Sequence, residues 1–174
     1  MKYSVKFFVV TFFLLVCTYS FAEQKIVVLD MKHVLNFSKA GKGAQDFLKK
    51  SFTDNQKKFA DIEQNLKKEE IDLLEKRTIL SKEEYTKKTD ALRKKVIDYQ
   101  SQRRASLDKI ATQRAKSRET LLKTVDPILN TYIKENNISL VIDKKDMLGG
   151  NPEYDITPTI VEKLNKELPS LNLK

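Results

Sequence analysis

The side chains that most often carry chemistry are sparse in this sequence. Among 174 residues there is one histidine, His33, one cysteine, Cys17, and no tryptophan. His33 lies near Asp30, but no second imidazole or thiolate stands by to complete a metal site, so it reads as a surface or interface histidine. Gly41-Lys42-Gly43 lacks the spacing and the preceding strand of a phosphate-binding loop. The acid pairs Glu69-Glu70 and Glu83-Glu84 have lysines beside them and read as solvated helix surface, not as a general acid and base. No catalytic constellation emerges, and the expectation is a protein that is not an enzyme and needs no cofactor or metal.

Charge is distributed less evenly. Residues 82–118 hold twelve bases (Lys82, Lys87, Lys88, Arg93, Lys94, Lys95, Arg103, Arg104, Lys109, Arg114, Lys116 and Arg118) against five acids, a net of +7. Such a run is a solvated helix face or a lining that attracts acidic chains and anionic lipid from a distance. Arg93, Lys94, Lys95, Arg103, Arg104, Arg114 and Arg118 are the anion-binding candidates. Tyr85, Leu92 and Tyr99, seven residues apart, are the apolar candidates beside them, although the same spacing suits a helix–helix seam. No aromatic residues interleave with the basic run beyond Tyr99, so a stacking platform for single-stranded nucleic acid is not expected.

The first 22 residues stand apart from the fold. Lys2 and Lys6 flank the start of an almost unbroken apolar run, Phe7 to Val16, and Ser20-Phe21-Ala22 places small residues three and one before a cut at Glu23. That is the pattern of a secretory signal peptide. The run is short for a membrane span, and Val16 stands where a lipoprotein signal before Cys17 wants a small residue. Cleavage leaves 152 residues, no cysteine, and 31 bases against 24 acids. A chain so exported works outside the cytoplasm, where ATP is not available.

Two β-rich runs, Lys25–Asp30 and Ile138–Asp143, bracket a long helical region. From Ala44 to Asp126, 83 consecutive residues contain neither glycine nor proline, which suits extended helices better than a compact domain. Phe52, Phe59, Leu66, Leu73 and Leu80 recur every seven residues, while the companion positions Asn55, Ile62, Glu69 and Lys76 are mostly polar. One apolar stripe on a helix of nearly forty residues predicts a rod of about 57 Å that is wet over most of its circumference. Ser81-Lys82-Glu83-Glu84 is a capping box that starts a second helix, running to about Asn136. Asp126-Pro127 within it is either a fresh N-cap with proline at the first helical position or a kink. Asn36–Gly43 reads as a loop. Lys144–Tyr154, with Gly149-Gly150 and Asn151-Pro152, is turn-rich with room for a third short strand. Thr157-Pro158 reads as the N-cap, with proline at the first helical position, of a terminal helix through Ile160, Val161, Leu164 and Leu168 that Pro169 stops.

The fold class that follows is α+β and mostly α. A long antiparallel helical hairpin (44–135, tip near 78–81) projects from a small β-containing body (23–43 and 136–174). Two or three short strands are not stable alone and leave edges open, so the body is expected to be completed by other subunits. Ile26, Val27, Val28, Leu29, Leu140, Val141 and Ile142 are the candidates for that interface. The subunit number does not follow from the spacing.

With its opening KIVVLDMKHVLN, its mid-chain LSKEEYTKK and its closing ISLVIDKKDML followed by DITPTIVEKLNKEL, the chain resembles the Skp/OmpH-like periplasmic chaperones over essentially its whole exported length. The resemblance implies a homotrimer, with a β-barrel body from which three helical hairpins project like tentacles around a cavity. It implies an ATP-independent holdase that binds unfolded outer-membrane proteins, prevents their aggregation and delivers them toward assembly, with Arg93 to Arg118 and Tyr85, Leu92 and Tyr99 as candidates to meet the client. Lipopolysaccharide or anionic lipid is a further partner compatible with the basic run, and a role on nucleic acid is not expected of an exported protein. The competing readings are a structural coiled-coil adaptor of the envelope and an envelope protein that binds lipopolysaccharide or other anions. Asp126-Pro127 and Gly149-Gly150-Asn151-Pro152 depart from what the family leads one to expect.

Overall fold

The β-branched run near the start forms strand β1 (Lys25–Leu29), and the second forms β2 (Ile138–Asp143). The two pair in parallel, Val27 opposite Val141 and Leu29 opposite Asp143. The structure is a computed structural model that describes residues 24–173, so the expected signal peptide and its cleavage site lie outside the described residues. Parallel strands cannot be joined by a tight turn; here the connection is the whole helical excursion between Leu29 and Ile138. No third strand forms among the described residues. The segment with room for one folds into single 3₁₀ turns at Lys144–Asp146 and Pro152–Tyr154, and just past it Asp155 makes one bridge with Val28. There the Ile156 amide donates to the Val28 carbonyl at 2.9 Å.

The four α-helices among the described residues were not all foreseeable. Helix α1 (Met31–Phe37) and helix α2 (Lys39–Glu75) are separated by Ser38 alone. The loop expected over 36–43 is therefore reduced to one residue. Ser38 is fully buried and its hydroxyl accepts from the Gly41 amide at 3.1 Å, capping α2. Gly41 is not there to make a loop. A Cβ on it would lie 1.9 Å from the Leu35 carbonyl oxygen, so the glycine lets α2 start against the end of α1.

A single 3₁₀ turn at Lys76–Thr78 ends the outgoing arm, and α3 (Lys82–Glu135) returns. The capping box is formed as read: the Glu84 amide donates to Ser81 Oγ at 3.2 Å, and the Ser81 amide donates to Glu84 Oε2 at 3.1 Å. At 1.5 Å per residue the two arms are about 56 and 81 Å long. α3 runs on through Pro127, so Asp126 does not start a new helix. It ends at Asn136, and Asn137 takes the left-handed conformation (φ 51°) that asparagine tolerates just past a helix.

The expected terminal helix is α4 (Thr157–Glu167), with Leu168 closing it before Pro169. Its N-cap is Ile156 and not Thr157. The Thr157 hydroxyl is engaged elsewhere, accepting from the Asp30 amide at 2.8 Å and tying the end of β1 to α4. The core is one cluster: Val27 and Leu29 from β1, Val34 and Leu35 from α1, Ala40, Leu121 and Val125 from the roots of the arms, then Ile138, Ile156, Ile160 and Leu164. Sheet, arm roots and α4 are thus one packed body, and everything between about Phe52 and Leu107 stands clear of it.

Candidate functional site

The arm is held by a narrow seam. On α2 the seam is lined by Ala44, Leu48, Phe59 and Leu73, which are buried, with Asn55, Ile62 and Leu66 half-buried between them. On α3 it is lined by Tyr85, Leu92, Tyr99, Ser106, Ile110, Gln113 and Ser117. Three of these seven, Ser106, Gln113 and Ser117, are polar, so the helices meet without making a continuous hydrocarbon core. Phe52, the first member of the expected heptad, is 43% exposed and off the seam. A straight helix drifts by about 20° per heptad against a seven-residue repeat, and Asn55 takes the facing position instead.

Tyr99 is the middle fastening. Its ring meets Phe59 edge-on at 6.0 Å between centroids, and its hydroxyl donates to Glu63 Oε2 at 3.0 Å. Partial withdrawal from water, and then the Glu63 carboxylate, raise the Tyr99 phenol above its ordinary value. Nearer the tip, Lys95 Nζ pairs with Glu69 at 2.6 Å. Both groups are well exposed, and such pairs contribute little to stability. The seam therefore aligns the arms without binding them rigidly.

The candidates divide accordingly. Tyr85, Leu92 and Tyr99 are half-buried in the seam, whereas Arg93, Lys94, Lys95, Arg103, Arg104, Arg114 and Arg118 are all exposed along α3. Of these seven, Arg93 pairs with Asp90 at 3.0 Å and Lys95 with Glu69; the other five form no ion pair with the described residues. Lys123 pairs with Glu119 further down the helix. In the body, Val27, Val28 and Leu29 are buried within the protomer, while Ile26 and Leu140 are exposed and Val141 and Ile142 half-buried.

Several exposed apolar side chains were not singled out in the sequence. Ile71, Leu74 and Ile79 crowd the tip, with Ile79 80% exposed, and Ile97 stands open along the arm, as does Phe52 of the expected stripe. Leu107 is exposed too, whereas Ile110 is buried in the seam. The signal that separates them is angle around the helix, which a count of apolar residues does not use. Between α2 and α3 lie shallow, open hollows. One of about 460 Å³ is lined by Phe52, Phe59, Tyr99, Arg103 and Leu107; a second of about 540 Å³ by Leu66, Leu92, Arg93, Val96 and Tyr99. Chemically, the arm offers wet cations and small apolar facets.

His33 is exposed, stacked on Phe37 at 4.4 Å, with Lys42 Nζ 5.6 Å from the same ring. Its backbone amide donates to Asp30 Oδ1 at 2.7 Å, capping α1. No group of three metal-ligating side chains occurs among the described residues. Nor is any helix among them long and apolar enough to cross a membrane.

Comparison with known proteins agrees with this architecture. The family model described as outer membrane protein (OmpH-like) matches residues 25–164. A Skp-like protein of Pseudomonas aeruginosa is 24% identical over 166 residues, covering 95% of this chain and 99% of that one. A crystal structure of an OmpH-like protein from Caulobacter crescentus CB15, described as an outer membrane chaperone, superposes with a TM-score of 0.79. It is 16% identical, and the match covers 87% of this chain and 89% of that one, so the fold is shared.

Proposed function

The chain belongs to the OmpH-like family of outer membrane proteins, and from that premise we propose that it is a periplasmic holdase. It works as a homotrimer without ATP, holding unfolded outer-membrane proteins between its helical arms, keeping them from aggregating and delivering them toward outer-membrane assembly. The name carried by the Caulobacter relative, an outer membrane chaperone, supports the reading.

The observation that carries the proposal is the arm itself. Two helices of 37 and 54 residues project from a body whose core draws on their roots alone. Their surface is wet, cationic and dotted with isolated apolar side chains, which gives many weak contacts and no enclosed pocket. Each exposed ionic contact is worth under about 1 kcal/mol, and each partly covered aliphatic side chain a similar amount. A client held by many such contacts stays bound while remaining mobile, and no hydrolysis is needed for its release. Trimerisation is supported by the two-stranded sheet, whose β2 carries exposed Leu140 on an open edge.

The test is light scattering from a urea-unfolded outer-membrane barrel protein diluted into buffer containing the exported chain and no nucleotide. Low scattering at about one trimer per client supports the proposal. Undiminished aggregation at a several-fold excess refutes it and favours arms that bridge folded partners.

A further inference from the structure

The two kinds of cation on α3 are not mixed. With Tyr99 of the seam set at zero, successive residues advance by about 100° around the helix. Arg103, Arg114, Arg118, Arg93 and Arg104 then fall at about +40°, +60°, +100°, +120° and +140°. Lys88, Lys95, Lys109, Lys116, Lys87 and Lys94 fall between about −20° and −140°. All five arginines of the helix therefore share one flank, and every lysine from Lys87 to Lys116 shares the other. No acid of α3 lies within the arginine arc; Asp98 and Glu84 fall on the lysine flank, Glu135 on the seam side at the end of the helix, and the rest at the back.

The hollows confirm the handedness of this division. Arg103 and Arg93 line the two hollows already described, which adjoin through Glu63 and Tyr99. The opposite side of the seam has its own hollows, one lined by Glu69, Asp72, Lys76, Lys88 and Lys95, another by Glu69, Lys95, Asp98 and Gln102. Acids of α2 lie on both sides, Glu63 and Glu70 in the hollows of the arginine flank and Glu69 and Asp72 in those of the lysine flank, where Lys95 of α3 is paired with Glu69. On the arginine flank Arg93 alone has an ionic partner; Arg103, Arg104, Arg114 and Arg118 have none among the described residues. Beside Arg103 and Arg93 lies a floor of Phe52, Phe59, Leu66, Val96 and Leu107, and Arg104, Arg114 and Arg118 continue the row beyond it.

Guanidinium and ammonium differ in what they hold. Arginine presents a planar fork that grips a carboxylate through two bonds and lies flat on an aromatic face; lysine presents a strongly hydrated point charge. A row of exposed arginines, four of the five outside any ion pair with the described residues, beside apolar facets is complementary to a chain that offers carboxylates and aromatic rings together. We propose that this flank and its two hollows are a trough for extended, unfolded polypeptide rich in alternating acidic and aromatic residues. From Arg93 to Arg118 the row is about 37 Å long, matched by about eleven extended residues. An extended chain turns successive side chains to opposite sides, one set toward the rim and the other toward the floor. A concave floor suits a strand better than a bilayer, whose plane reaches the rim alone.

The inference deepens the holdase reading and rests on it. Its test is charge-conserving, on five exposed side chains. In one variant Arg93, Arg103, Arg104, Arg114 and Arg118 are all replaced by lysine; in the mirror variant Lys87, Lys94, Lys109 and Lys116 become arginine. The probes are two twelve-residue peptides, alternating Tyr with Asp or Tyr with Lys, each carrying one tryptophan as reporter, since the chain has none of its own. The Tyr/Asp peptide should bind at least tenfold more weakly to the lysine-substituted arm and within twofold of normal to the mirror variant, and the Tyr/Lys peptide should bind neither. Equal affinity across the variants means that charge alone is sensed and overturns the trough. So does a loss of binding to phosphatidylglycerol vesicles with the peptide affinity unchanged, which would make the flank a lipid surface. If the unmodified chain suppresses barrel-protein aggregation while these peptide results fail, the trough falls alone. If it does not suppress aggregation, the holdase reading falls and the trough with it.

Discussion

Two glycines two residues apart in the same helix should respond to the same substitution with opposite signs. At Gly41 an added Cβ would sit 1.9 Å from the Leu35 carbonyl oxygen, 2.9 Å from its carbon and 3.0 Å from Ser38 Oγ. Ordinary carbon–oxygen contact needs about 3.3 Å, so α1 and the start of α2 must part by more than about 1 Å. The obstacle is backbone and cannot rotate away. Parting them disturbs Val34 and Leu35 in the core and the Ser38 cap on the Gly41 amide. Overpacking costs up to about 3 kcal/mol and a lost cap about 1 kcal/mol, so Gly41→Ala should destabilise by roughly 3–4 kcal/mol. At Gly43 a Cβ meets nothing within 4 Å, and alanine in an open helical position gains about 1 kcal/mol. Urea unfolding followed by circular dichroism, at one fixed protein concentration because assembly contributes to stability, reads both. Gly41→Ala within about 0.5 kcal/mol of the parent, or a destabilised Gly43→Ala, would refute the packing argument.

Other consequences are as direct. Leu164→Ala empties a fully buried position of the body core and should cost about 3 kcal/mol in the same unfolding assay. Ser81→Ala removes the tip cap and should loosen the start of α3 by about 1 kcal/mol, seen as faster amide exchange at Glu84 and Tyr85 with the body unaffected. Glu84 holds its carboxyl below its ordinary value of 4.5 through bonds from the Ser81 hydroxyl and then the Ser81 amide. A carboxylate lowered in the folded state stabilises above its ordinary value and loses that contribution as pH falls through the lowered one. The tip should therefore fray in nuclear magnetic resonance spectra below about pH 4.5 while neutral spectra stay unchanged. Client affinity should fall when salt rises from about 0.05 to 0.5 M, since the arm's cations are exposed and screened; a salt-independent affinity measured by tryptophan fluorescence would shift the weight to the apolar facets.

What was legible in the sequence was local. Ser81 and Glu84 are three residues apart, and their reciprocal bonds need no distant partner, so the capping box could be read and is formed. The strands at Lys25 and Ile138 and the long glycine-free arms were legible for the same reason. The features that went unread are those decided by residues far away. Thr157 looks like an N-cap, but the Asp30 amide, 127 residues distant, takes its hydroxyl. Gly41 looks like loop punctuation, yet it marks the place where two helices collide. Phe52 fits a heptad on paper and leaves the seam because the real helix does not repeat at seven. Within the arm, the count of bases was visible, whereas their division into an arginine and a lysine flank required angles, and the hollows beside each flank required the second helix.

The central claim, that the arms hold a client which stays unfolded, is tested most directly by hydrogen–deuterium exchange on the complex with an outer-membrane barrel protein. The account predicts that arm amides between about Ala44 and Glu135 gain protection, that the amides around Ile160 and Leu164 do not change, and that the client's own amides exchange as fast as in a disordered chain. Protection confined to the body, or a client whose amides are protected as in a folded barrel, would contradict it.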